Sequence, residues 1–247
     1  MYKEILQTTN HRTTPLPKGS WVMTQEWKHL LFMHVPVSKE WLSAYVPDGL
    51  EIDTYHKQAW VTIIPFQVSD MRLRMLPSIP GLKSYLELNV RTYVIKNGIP
   101  GIYFFSLDAD KLMAVIGARF ATLPYFPAKM TMKNQGGAFT FKSDRWSKEE
   151  AVFQGSYQPS SKPFSPEQDS LPFWLLERYY LYSRIKGRLF YGGIHHLPWK
   201  ITEARAEIHA CQLFPISQHQ LTPADILFHY APSCRALFWP IKTISMG

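Results

Sequence analysis

Alternation of apolar and polar residues dominates this chain, and a period of two marks β-strands, whose successive side chains point to opposite faces. Residues 84–96 alternate most cleanly. Leu86, Leu88, Val90, Thr92 and Val94 fall on one face, and Tyr85, Glu87, Asn89, Arg91 and Tyr93 on the other. Residues 60–74 are rich in β-branched and apolar side chains with a break near Pro65, and Asn97-Gly98 supplies a turn before a short aromatic strand over 102–107. Residues 129–142 hold Gly136-Gly137 and read as a hairpin; 151–157, 188–195, 201–213 and 235–242 complete the strands. Helical spacing is rarer. It predicts helices over 38–45 with Ser38 as N-cap, over 110–121 with Asp110 as cap, and over 170–182 with an early Pro172. The balance is a β-rich α+β fold with antiparallel strands and a few packed helices.

Size and composition narrow this. A chain of 247 residues buries enough of its surface to hold a core without disulfides or metal, and apolar residues at 46% against 19% charged exclude intrinsic disorder. Aromatic residues reach 15%, which suits aromatic-rich strands or an aromatic-lined cavity. The one shift in composition is the Pro/Ser-rich stretch 158–166, expected to be a surface loop within a single domain spanning 1–247.

The net charge of +8 could draw acidic partners. Its basic residues are scattered, however, with Arg184-Ile185-Lys186-Gly187-Arg188 the nearest to a cluster, and no nucleic-acid motif accompanies them. A solvated basic surface without a nucleic-acid partner is expected. No apolar run suits a membrane span and the first residues lack the pattern of a signal peptide, so a cytoplasmic protein with no membrane partner is expected. Cys211 and Cys234 stand alone, and no phosphate loop, dinucleotide fingerprint, nucleophile elbow or zinc spacing occurs. Neither a cofactor nor a metal is called for.

The candidate chemistry concentrates on one strand face. If the sheet closes around a cavity, Tyr85, Glu87, Asn89, Arg91 and Tyr93 line it; if it stays open, they form its wet face. Glu87 and Arg91 stand about 13–14 Å apart along a strand, too far to pair. Arg119, at the end of a candidate helix, either complements the helix dipole or reaches from an aromatic loop to a carboxylate. The segment Glu177-Arg178-Tyr179 reads as structural, and Asp108-Ala109-Asp110 as a helix cap. His195 and His196 adjoin on a strand and so face opposite ways. Arg205, Glu207 and His209 share a strand face, where they can form an ionic row.

These motifs have a counterpart. Glu87-x-Asn89-x-Arg91-x-Tyr93, Phe105-Ser106-Leu107-Asp108, Ala118-Arg119 followed by Leu123-Pro124-Tyr125, Glu177-Arg178-Tyr179 and His196-x-x-Trp199 resemble a bacterial family of uncharacterised conserved proteins related to acetoacetate decarboxylase. Val46-Pro47-Asp48-Gly49-Leu50-Glu51, Tyr85-x-Glu87 and the stretch 117–128 are similar to segments of the decarboxylase itself. The resemblance implies a closed antiparallel β cone or barrel with a central cavity and an inward-facing Glu87. It also exposes a departure. The decarboxylase uses a lysine activated by a neighbouring lysine, and here Tyr125 and Phe126 stand in their place. The decarboxylase's cavity arginine is likewise unmatched, the nearest positions being His34, Val35 and Pro36. Schiff-base decarboxylation is therefore not expected. The expectation is a cavity for a small organic acid or carbonyl compound. The alternative is an enzyme doing enolisation, hydration or non-covalent decarboxylation, with Glu87 as acid or base, Tyr125 as proton donor and Arg91 or Arg119 as anion clamp.

Overall fold

A computed structural model describes residues 1–247 except 79–80, 113, 115–122, 148–150, 220–221 and 245–247. Its strands are β1 (Met23–Val37), β2 (Glu51–Ile52), β3 (Ala59–Leu73), β4 (Ser84–Lys96), β5 (Ile99–Ala109), β6 (Tyr125–Gln135) and β7 (Ala138–Arg145). They continue as β8 (Val152–Pro159), β9 (Tyr180–Ile185), β10 (Arg188–His195), β11 (Thr202–Gln212), β12 (Leu227–Phe238) and β13 (Lys242–Thr243). Three short helices are described: α1 (Tyr2–Gln7), α2 (Lys39–Ser43) and α3 (Leu171–Leu176). None is long and apolar enough to cross a membrane.

The pairings close two rings. β5, β4, β3, β1 and β12 form a common wall. Running on through β11, β8, β7 and β6, this wall closes a nine-strand barrel; running on through β10 and β9, it closes a ring of seven. The wall can serve both because its outer strands fork. One end of β5 pairs with β9 at Ile102 and Tyr103, and the other with β6 from Leu107 to Ala109. β12 likewise pairs with β11 at Tyr230 and with β10 at Phe238. The β5–β6 and β5–β9 pairs are parallel, so the barrel is mixed rather than wholly antiparallel. Each follows from a long connection between the paired strands, whereas the tight two-residue turns of the chain make antiparallel pairs.

Alternation along the wall divides two interiors. Leu31, Met33, Val61, Ile63, Leu88 and Val90 face a packed core shared with Phe139, Phe141 and Phe153 from the nine-strand side. Leu30, Phe32, Ile64, Phe66, Ile102 and Phe104 face the seven-strand side. A wall buried on both faces explains the continuous apolar run Leu30-Leu31-Phe32-Met33 in β1.

Local chemistry places the turns and ends. Asn97 and Gly98 both adopt positive φ, 51° and 75°, the backbone a two-residue hairpin requires. The Ser38 hydroxyl accepts from the Trp41 amide and that of Ser170 from the Phe173 amide, capping α2 and α3.

Two expectations are corrected. The helix expected over 170–182 ends at Leu176, and Tyr180 already belongs to β9, because its remaining aromatic residues are needed to close the seven-strand ring. Asp108 caps no helix; it lies in β5 and pairs with Arg145 at 2.8 Å. Asp110 spends its Oδ1 on the Leu86 amide across the β4 edge. Most of the helix expected over 110–121, Arg119 included, lies outside the described residues.

Two outcomes follow from this architecture. Early strands interleave with late ones, so cleavage in the exposed stretch 158–165 should leave the two fragments associated on gel filtration. At Gly101 a Cβ would stand 2.5 Å from the Tyr180 carbonyl oxygen, so Gly101→Ala should cost roughly 1–3 kcal/mol of unfolding free energy in urea titration by forcing β9 off β5.

Candidate functional site

The seven-strand ring encloses a cavity of about 600 Å³. Trp27, Leu30, Phe32, Ile64, Phe66 and Trp199 are among the apolar side chains that line it. Val22 and Leu73, 40% and 44% exposed, also line it and mark its rim. The polar groups come mainly from one face of β4. Register sets their depth: Tyr85 lies opposite Val68, Glu87 opposite Phe66, Asn89 opposite Ile64 and Arg91 opposite Thr62, progressively farther from Leu73 along β3.

Glu87 is 4% exposed. The Tyr125 hydroxyl donates to its Oε2 at 2.8 Å, and the Asn89 amide supports the same carboxylate. Burial outweighs these bonds and raises the Glu87 pKa to about 7; the nearby Asp108 adds to the rise. Desolvation, with the Glu87 charge second, also holds the Tyr125 phenol well above its usual range. Asn89 Oδ1 is buried with no hydrogen-bond partner among the described residues. Tyr85 sits nearer the rim and receives a bond from Gln25 Nε2 at 3.3 Å.

Arg91 lines the deep end, its Nη2 3.4 Å from the Leu175 carbonyl. Tyr93 stays on the same strand face but lies past the cavity. Its ring packs on Trp174, and its hydroxyl shares a 2.6 Å bond with Thr62, which in turn meets His34 Nδ1 at 2.9 Å. The expected cavity role of Tyr93 is corrected accordingly: the deep end is closed before the strand reaches it. Arg119 lies outside the described residues.

Sequence reasoning overlooked Arg178 as a cavity residue. Glu177 is the C-cap of α3, and beyond it the chain turns so that Arg178 reaches the cavity. Its Nη1 meets Asp53 Oδ2 at 2.6 Å and its Nε donates to the Trp174 carbonyl at 2.6 Å. Glu177 and Tyr179 are structural: the Tyr179 hydroxyl donates to Glu177, and Glu177 Oε1 accepts from the Trp199 amide. Reading 170–182 as one helix concealed this. The signal available was an Arg with aromatic residues at helical spacing, Trp174 and Tyr182, and no acid there.

His195 and His196 do face opposite ways. His196 lines the cavity and burial lowers its pKa to about 3, so it is neutral. His195 Nε2 bonds the Ile5 carbonyl at 2.7 Å, and Arg12 Nη1 donates to the Ile194 carbonyl at 3.0 Å. The N-terminal segment thereby lies along the outer side of β10, with Pro17 against Gly193. Glu207 and His209 approach to 3.7 Å at the surface, away from this site. Among the described residues no three metal-ligating side chains gather, and no lysine lines the cavity.

This closed mixed barrel places the chain in the acetoacetate decarboxylase-like fold. Acetoacetate decarboxylase from Legionella pneumophila superposes with a TM-score of 0.63 at 14% identity over 96% of this chain and 94% of its own. The enduracididine biosynthesis enzyme MppR, complexed with pyruvate, gives 0.63 at 11% identity over 92% of each chain. At such identities the likeness concerns the fold alone. The chain belongs to the DUF2071 family of uncharacterized conserved proteins, whose pattern matches residues 24–235. It is 47% identical over 228 residues to the uncharacterized protein YqjF of Bacillus subtilis (strain 168), covering 92% of this chain and 94% of that one.

The buried Glu87 carboxyl makes a stability prediction. Below its unfolded pKa near 4.5 both states carry the proton. Between that value and about 7 the unfolded chain ionises while the folded one does not, so stability falls as pH rises, by about 3 kcal/mol in all. Glu87→Gln removes this dependence. Thermal melts of the two proteins from pH 4 to 8 should diverge in favour of the variant as pH increases.

Proposed function

We propose that the cavity binds a small organic acid or carbonyl compound. The supporting observation is the Glu87–Tyr125 pair, buried beside Asn89 with Arg91 farther in, inside a chamber whose walls are mostly apolar. Apolar walls with a few fixed polar groups are the usual build of a small-molecule site: burial supplies affinity, and the polar groups select and orient. Arg91 attracts an acid, while a protonated Glu87 or Tyr125 donates to a carbonyl oxygen.

One observation favours a second reading, catalysis. With a pKa raised to about 7, Glu87 is populated in both protonation states near neutrality, the condition under which a carboxyl group both takes and returns a proton efficiently. Tyr125 would steady the carboxylate when Glu87 has lost its proton. Enolisation or hydration of a bound carbonyl compound, or its decarboxylation without a covalent intermediate, fits these groups. MppR, of the same fold, holds pyruvate in its crystal structure, which makes keto acids the first compounds to try. Lysine-based chemistry does not fit, because Tyr125 is turned onto Glu87 and Lys129 is exposed.

Mass spectrometry of small molecules released from purified protein, followed by calorimetric titration of keto acids and related compounds, tests the binding reading. Glu87→Gln and Tyr125→Phe should each weaken a verified ligand by roughly tenfold, the worth of one hydrogen bond, while keeping the fold. Unchanged binding in both variants would remove the pair from the site. Borohydride treatment in the presence of pyruvate or acetoacetate should leave the protein mass unaltered; a stoichiometric adduct would show that a lysine reacts after all.

A further inference from the structure

We propose that Arg178 and Arg91 together form a carboxylate clamp at the deep end of the cavity, and that its ligand is a monocarboxylic acid with an apolar or aromatic tail. This rests on the acid-binding reading above and narrows it.

Arg178 is built in as a fixed group. It is 7% exposed, its guanidinium stacks 4.3 Å from the Trp174 ring, and Nε and Nη1 are engaged by the Trp174 carbonyl and Asp53. Nη2 is buried and has no hydrogen-bond partner among the described residues, while the side chain lines the cavity. Arg91 lines the same cavity with its own Nε unpartnered among the described residues. The two guanidinium carbons lie 5.3 and 5.9 Å from the centre of one ring, that of Tyr93. Free carbonyls at the end of α3 hold both: Trp174 receives Arg178, and Leu175 receives Arg91.

The local charges do not cancel. Of the two cations, Arg178 has the Asp53 carboxylate and Arg91 makes no ion pair among the described residues. Glu87 stands about 13 Å away along the strand. A buried cation without a counter-charge is costly, and a planar carboxylate that accepts from two guanidinium edges supplies what is missing. A dicarboxylate would bring a second charge into a chamber whose described lining offers no cation beyond these two arginines.

The tail follows from the space. A volume of about 600 Å³ equals that of roughly twenty water molecules, far more than a three- or four-carbon acid needs. From Glu87 toward the rim the lining is mostly apolar, with Trp27, Phe66, Met71, Leu82 and Phe238 beside the bonded pair Tyr85 and Gln25, ending at exposed Val22 and Leu73. An acid seated on the arginines points its other end along this passage. Each additional methylene buried there tightens binding about fourfold.

Titration calorimetry with acetate, butanoate, hexanoate, octanoate and 3-phenylpropanoate, and with neutral octanamide, tests the proposal. Affinity should rise roughly fifteenfold per pair of methylenes, and octanamide should bind at least tenfold more weakly than octanoate. Arg91→Gln, which leaves no acid stranded, should cost octanoate at least tenfold while hardly changing octanamide. Arg178→Gln combined with Asp53→Asn should do the same, with circular dichroism melts confirming a folded protein. If pyruvate or acetate binds as tightly as octanoate, the tail is wrong while acid binding stands. If octanamide matches octanoate, or if both arginine variants bind octanoate unchanged, the clamp is wrong. If no acid of any length binds, the inference and the reading beneath it fail together.

Discussion

Burial of the five-strand wall on both faces is the constraint on which everything else rests. A sheet with one wet face can slip its register at moderate cost, whereas this one cannot, because a shift of one residue would drive Glu87, Asn89 and Arg91 into the packed core beside Phe141 and Phe153. The same pleat that turns Leu88 and Val90 toward close-packed aromatic rings turns their neighbours into open space. Packing on the nine-strand side thus holds the polar row on the seven-strand side in place, and the cavity needs no dense core of its own.

Within that cavity, burial distributes charge unevenly. Desolvation pushes the Glu87 carboxyl toward its neutral form and keeps His196 uncharged. Guanidinium groups resist the same pressure because their intrinsic proton affinity is so high. The deep end therefore retains positive charge while the acid nearer the rim is free to change state. Two electrostatic regimes, a fixed one and a switchable one, share one strand face separated by Asn89.

How much of this is visible in the sequence depends on how much local pattern each element carries. β4 and β10 run over the residues the alternation and turn signals indicate, because each is bounded by tight turns or polar punctuation and has two unlike faces. β1 escapes the same reasoning. Its Leu30–Met33 run faces two apolar environments at once and so has no period of two to detect. β9 is hidden for another reason: Ser170 and Pro172 announce a helix correctly, and nothing local reports that it stops after six residues to free aromatic side chains for a ring closed by distant β5. For the site, Glu87 with Asn89 and Arg91 can be read from alternation, and Tyr125 from its position in the resemblance. Arg178 cannot, since its place depends on where that helix ends, and its acid partner Asp53 comes from 125 residues earlier in the chain.

The meeting of Pro17 with Gly193 has a consequence for how the chamber is walled. At Gly192 and Gly193 the barrel wall is a bare peptide ribbon: a side chain on the inner side would press on Leu181 and Ile241, and one on the outer side would strike Pro17. The N-terminal segment, tethered by Ile5 and Arg12, covers this thin panel from outside. The first seventeen residues thus back the wall of a space whose lining they do not join, and a glycine pair that leaves no room for side chains is what lets them lie so close.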